Sequence, residues 1–135
     1  MKYISIFLLL ICSVQAAAAI DVIVHPSNNS ALNNAEITRI FLGKAKSFPG
    51  GGQAVPLNQN ESAGITAEFN KNVLNKSNSQ LKAYWSKLVF TGKGTPPKSV
   101  DSEQEVINLI SSNTNMIGFI SKGAGGSSVR VVATF

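Results

Sequence analysis

The sequence predicts an α/β domain whose central sheet is at least partly parallel, and three observations predict it. A β-branched, nearly unbroken run at Ile20–Val24 reads as a strand buried on both faces. Further short apolar runs lie at Ala54–Leu57, Met116–Ile120 and Val129–Phe135. Between them fall stretches of helical periodicity, carried in turn by Ile37, Ile40 and Phe41, by Ile65, Phe69 and Val73, by Leu81, Tyr84, Trp85 and Leu88, and by Val106, Leu109 and Ile110.

The chain opens on Lys2, an apolar stretch from Ile4 to Cys12 and the small-residue site Ser13-Val14-Gln15-Ala16, the signature of a secretory signal peptide spanning residues 1–19. Cleavage is expected after Ala16 or within Ala17–Ala19, and the apolar stretch is too short for a membrane span. Bulky Ile11 before Cys12 argues against lipid attachment, so Cys12 is expected to leave with the signal. The remainder, residues 20–135, holds no cysteine and must cohere by packing, as a single domain. The formal charge of +5, or +4 without Lys2, is spread over scattered lysines. It helps an anion approach but lacks the clustered cations and aromatics of a nucleic-acid binder, and no stable membrane insertion is expected.

Taken in order, Pro26 stops the first strand, and His25-Pro26-Ser27-Asn28 forms the turn after it. His25 is the chain's one histidine; it is either structural or a ligand-binding or pH-sensing group, and with no cysteine nearby it offers no zinc site. Asn33 and Glu36 stand at capping-box spacing before the first helix, and Gly43 supplies its stop. Lys44, Lys46 and Gly50-Gly51-Gly52 make a basic loop without the spacing of a nucleotide-binding loop. Ser77 with Gln80, and Ser102 with Glu105, repeat the capping spacing at the third and fourth helices. Tyr84 and Trp85 are expected to pack on the core, and Phe90–Pro97 reads as a loop stiffened by Pro96 and Pro97. The Gly-rich segment Lys122–Ser128 precedes the closing strand.

The stretch Gln53–Leu74 organises the rest. A strand feeds a helix through Asn58-Gln59-Asn60-Glu61-Ser62-Ala63-Gly64, so this turn lies at a helix N-terminus, where unpaired N–H groups favour an anionic oxygen. Ser62 or Thr66 could add a hydroxyl donor. The competing reading is plain capping of the helix by Asn60 or Ser62. Paired catalytic groups are lacking: Glu103 and Glu105 diverge at a spacing of two on a helix, and His25 with Ser27 has no carboxylate partner in a local motif. No catalytic residues, metal or cofactor are expected; the chain is suited to holding a ligand rather than transforming it.

Five segments carry a family resemblance: VIVHPSN at 22–28, IFLGK at 40–44, VPLNQNESAGITAEF at 55–69, YWSKLVFTGKGTPPK at 84–98 and MIGFIS at 116–121. With these the chain resembles the short phosphate ABC transporter substrate-binding proteins of the type 2 periplasmic-binding superfamily. The resemblance implies one lobe of the usual two-lobed clamshell, with a mixed central sheet flanked by helices. It also implies a periplasmic or secreted location, a small oxyanion such as phosphate as ligand, and an ABC transporter or another envelope protein as partner. The family's anion loop, an Arg followed after three residues by Ser-Gly-Thr and often another Arg, falls on Gln59, Ala63-Gly64-Ile65 and Thr66. Only Gly64 is retained, which leaves Gln59, Ser62, Gly64 and Thr66 as the expected anion-binding residues, with His25, Ser27 and Asn28 as the expected cleft rim. A phosphate dianion wants charge-assisted donors, so binding is expected to be weak. The alternative is a structural or protein-interaction module of the envelope on a degenerate binding-protein scaffold.

Overall fold

The computed structural model describes residues 19–135. The expected signal segment, including Cys12 and the cleavage region up to Ala18, lies outside the described residues. The elements run β1 (Ile20–Val24), α1 (Asn34–Phe41), β2 (Val55–Gln59), α2 (Gly64–Asn72), α3 (Asn78–Phe90), β3 (Lys98–Val100), α4 (Glu103–Ser112), β4 (Met116–Ser121) and β5 (Arg130–Thr134). They form a single-lobe α/β fold around a 5-stranded sheet of order β3-β2-β4-β1-β5. Strand β2 runs parallel to β3 and β4, whereas β1 is antiparallel to β4 and β5, so the sheet is mixed.

The unbroken apolar run of β1 has its cause in this layering, because helices cover both faces of the sheet. Ile20, Val22 and Val24 point into a core shared with Ile37, Phe41 and Phe69, while Ile23 points into a second core with Leu57, Val106 and Ile110. In the first core the Phe69 ring stacks on Phe119 at 4.0 Å and meets Phe41 edge-on at 4.7 Å, which ties α1 and α2 to β4. In the second, α4 lies so close to β4 that a Cβ on Gly118 would fall 2.8 Å from Val106 Cγ1 and 2.9 Å from Ile110 Cδ1. Glycine is what permits that approach.

Helix ends follow the sequence at most positions. Asn33 with Glu36, and Ser77 with Gln80, form complete capping boxes. Ser102 accepts from the Glu105 N–H, but the Glu105 carboxylate turns to the Asp101 N–H instead of closing the box. Gly43 follows α1 at φ 73°, in the left-handed region that glycine tolerates best. Tyr84 and Trp85 pack against the first core, as expected, and the Tyr84 hydroxyl donates to the Leu42 carbonyl at 2.6 Å.

One local expectation is corrected, and one element is new. Neither Asn60 nor Ser62 caps α2: its N-cap is Ala63, with no side-chain cap bond. The Asn60 side chain instead accepts from Ser62, closing a tight turn before the helix. Beyond the expected loop, which ends at Pro97, Lys98–Val100 pairs with Leu57–Gln59 as edge strand β3, an element not expected from the sequence. Its three residues, two of them exposed, carry too little apolar signal to announce a strand.

Candidate functional site

Strand β2 delivers Gln59 to the start of the turn. The β2–β4 ladder pairs only Val55 and Pro56 with Met116 and Ile117, and Pro56 has no N–H to give. Further along, the Gln59 side chain takes over: its Nε2 donates to the Phe119 carbonyl at 2.8 Å, and the residue is 5 % exposed. Gln59 therefore serves as a tie between two strands.

The next residues order the turn. Asn60 N–H donates to the Val100 carbonyl at 3.0 Å, which anchors the turn to β3. The Asn60 carbonyl accepts from the Ala63 N–H and from the Thr66 hydroxyl, each at 2.9 Å. The Ser62 hydroxyl donates to Asn60 Oδ1 at 2.9 Å. Both hydroxyls expected to grip an anion are thus hydrogen-bonded within the turn. What remains open is backbone: the N–H groups of Gly64 and Ile65 begin α2 with no carbonyl of the chain against them. Gly64 is exposed, and nothing lies within 4 Å of where its Cβ would be. Gly64 is thus an exposed residue at the positive end of the helix, with Ile65 beside it half-buried against the first core.

The four expected anion residues do not share one surface. Ser62 and Gly64 lie on the open side of the turn, while Gln59 and Thr66 line a cavity of about 330 Å³ between α2, α3 and the segment entering β3. Asn58 and Asn70 line the same cavity, and the Oδ1 atom of each is buried without a hydrogen-bond partner. The sequence reading missed Asn70. Its signal was the spacing Thr66, Phe69, Asn70, Val73, which puts an amide inside the buried stripe of α2.

The expected rim lies elsewhere. Because β1 is antiparallel to β4 and β2 is parallel to it, the residues after β1 emerge at the opposite end of the sheet from those after β2. His25, Ser27 and Asn28 are therefore not brought together with Gln59, Ser62, Gly64 and Thr66. His25 Nδ1 accepts from the Ser27 N–H at 3.0 Å and lies 2.8 Å from the Ser27 hydroxyl. The Asn28 carbonyl accepts from the Arg130 guanidinium at 2.9 Å, as does that of Ser30 at 3.2 Å, which spends one of the chain's few arginines on holding a loop. Ser27 and Asn28 line a separate hollow of about 630 Å³ with Phe48, Gln53 and Asn115.

Among the described residues, no group of three or more His, Cys, Asp or Glu side chains is placed to hold a metal ion. No helix among them is long and apolar enough to cross a membrane.

Neither a family model nor a curated protein matches the sequence. Solved structures do match the fold. An ABC-type phosphate transport receptor from Vibrio cholerae superposes with a TM-score of 0.66 at 18% identity, covering 85% of this chain and 46% of that one. A Clostridium perfringens protein assigned as a phosphate ABC transporter substrate-binding protein, solved with bound phosphate, gives 0.67 at 21% identity over 85% and 45%. PstS from Borrelia burgdorferi gives 0.63 at 16% identity over 86% and 47%. The chain spans a little under half the length of these structures. Its single lobe, with a mixed sheet covered by helices on both faces, has a fold related to that of the type 2 periplasmic and ABC transporter substrate-binding proteins.

Proposed function

We propose that residues 20–135 form an exported, non-enzymatic domain that binds phosphate or another small oxyanion weakly, in association with an ABC transporter or another envelope protein. The observation that carries the reading is the first turn of α2, where the N–H groups of Gly64 and Ile65 have no acceptor in the chain and Gly64 is exposed. Similarity to phosphate receptors supports the choice of ligand class. The weakness has a physical cause. No cationic fork stands at Gln59, the Ser62 and Thr66 hydroxyls are engaged within the turn, and water competes for an open half-site. A facing wall, from another polypeptide or a further segment, would exclude that water and tighten the grip.

Gly64→Pro tests the reading. Proline is favoured at the first position of a helix, the Gly64 N–H has no partner in the chain, and Ala63 at φ −71°, ψ 130° suits a residue before proline. The substitution removes one anion donor while sparing the fold. Phosphate affinity, followed by calorimetry, is expected to fall about tenfold, the equivalent of roughly 1.5 kcal/mol for a bond to a charged group. Unchanged phosphate binding by a folded Gly64→Pro protein would place the anion elsewhere.

A second reading, a protein-interaction module, is favoured by the end of α3. Val89 and Phe90 are adjacent there and 54% and 92% exposed, and their burial against a partner would be favourable. Pull-down of the same envelope partner by wild type but not by Phe90→Ser, with phosphate binding absent in both, would shift the assignment to this role.

A further inference from the structure

Charge is unevenly placed along the chain. Residues 69–100, from the second half of α2 through α3 to β3, hold six lysines and no acidic residue, whereas the rest of residues 19–135 holds five cations and seven acids. The surplus of positive charge is therefore confined to one region. Lys71, Lys82, Lys87, Lys93 and Lys98 are exposed there, and Lys76 is held over the Tyr84 ring at 5.9 Å. The same region ends α3 on Val89 and Phe90, which are 54% and 92% exposed. Phe90 lies three residues beyond Lys87 and Val89 seven beyond Lys82, so each apolar side chain shares a helix stripe with a lysine.

The helix end is built as a closed tip. Gly92 at φ 69° turns the chain, and the Gly92 and Lys93 N–H groups donate to the Val89 and Leu88 carbonyls at 3.1 and 2.8 Å. Thr91 donates through both its N–H and its hydroxyl to the Lys87 carbonyl. With these three carbonyls satisfied, the tip can leave water at little cost to its backbone, and Lys93 is fixed next to the last turn. Lys82 shares the wall of a hollow with Glu61, which leaves Lys87 and Lys93 as the main cations beside Phe90. Size and charge then select what covers Phe90. Two adjacent apolar side chains fall far short of the roughly 800 Å² per partner of a standard protein interface. A fluid anionic surface needs no matching shape: an apolar wedge enters it while flanking lysines are attracted to it, and the two together hold more firmly than either alone. We propose that the end of α3 docks on an anionic lipid surface, with Val89 and Phe90 entering the headgroup region and Lys87 and Lys93 against the lipid phosphates. The contact is peripheral, since no helix among the described residues is long and apolar enough to cross a membrane. This inference does not depend on the oxyanion reading, and it shares with the protein-interaction reading only the exposed end of α3.

The test is sedimentation with lipid vesicles of the exported chain after removal of its signal segment, the form that carries every strand and helix described. Vesicles of equal parts phosphatidylglycerol and phosphatidylcholine are compared with phosphatidylcholine alone. Binding is expected to the anionic vesicles only, and to weaken as salt is raised. Phe90→Ser is expected to lower the partition coefficient about tenfold or more, through loss of a buried aromatic side chain. The double variant Lys87→Gln and Lys93→Gln is expected to lower it about thirtyfold, each cation contributing roughly fivefold. All three positions are exposed, and circular dichroism checks that the variants are folded; Val89→Ser, with a smaller loss, serves as a second route. The proposal is overturned by no sedimentation with anionic vesicles, by equal sedimentation with neutral ones, or by unchanged binding of folded Phe90→Ser. Capture of an envelope protein through Phe90 without any vesicle binding would overturn it too, and would return this surface to the protein-interaction reading. Phosphate calorimetry on the same Phe90→Ser protein, expected to match wild type, reports on the oxyanion reading separately.

Discussion

Replacing Gln59 by Met separates a structural tie from an anion ligand at the same position. Methionine keeps the length and most of the volume of glutamine but cannot donate to the Phe119 carbonyl, which Gln59 Nε2 meets at 2.8 Å in a site where Gln59 is 5 % exposed. The lost bond leaves a buried carbonyl unpaired, at a cost of about 1–3 kcal/mol. Little cavity forms, so that desolvation governs the sum. For a domain of this size each kcal/mol lowers Tm by roughly 4–8 °C, and a fall of about 5–15 °C is expected by calorimetric or circular-dichroism melting. Phosphate affinity, measured well below the lowered Tm, should change less than threefold, because the side chain points to β4 and away from the Gly64 and Ile65 amides. An unchanged Tm together with a tenfold loss of phosphate binding would refute the assignment of Gln59 as a strand tie.

Three further substitutions follow from the packing. Gly118→Ala should destabilise by about 1–3 kcal/mol in urea unfolding, since its Cβ would enter the space of Val106 and Ile110; an unchanged midpoint would mean that α4 moves away without cost. Asn33→Ala removes one half of the α1 capping box and should cost about 1 kcal/mol by the same assay, while an exposed control such as Lys87→Ala should stay within about 0.5 kcal/mol. Gly64→Pro should leave the unfolding midpoint unchanged or raise it by up to about 1 kcal/mol through loss of unfolded-state entropy, and a large drop would mean that the Gly64 N–H or backbone angle is in use.

Much of the fold was legible because its signals are local. Alternation of β-branched runs with helical stripes located β1, β2, β4, β5 and all four helices, and the spacings Asn33–Glu36 and Ser77–Gln80 became complete capping boxes. Edge strand β3 escaped because only Val100 of its residues is buried, so its pairing with β2 leaves no apolar pattern in the chain. The close approach of α4 at Gly118 was equally hidden, since a glycine inside a strand has several explanations until its neighbours are known. The site was legible only in part. The strand–turn–helix around Gly64 could be read from sequence, whereas the hydrogen-bond partner of each candidate donor could not. Gln59, Ser62 and Thr66 are hydrogen-bonded to Phe119, to Asn60 Oδ1 and to the Asn60 carbonyl, and such bonds depend on backbone directions that residue type does not reveal. Strand direction likewise decides that His25, Ser27 and Asn28 stand at the far end of the sheet.

The most direct test of weak oxyanion binding by an open half-site is a calorimetric titration of the wild-type monomer with phosphate, with sulfate and acetate alongside, at low and at moderate salt. Two backbone donors at a helix N-terminus, without a cationic fork, predict a Kd in the high micromolar to millimolar range, about −4 to −6 kcal/mol, weakening further as salt screens the helix end. Submicromolar phosphate binding by the monomer would contradict the account, and so would the absence of binding for every anion at both salt concentrations.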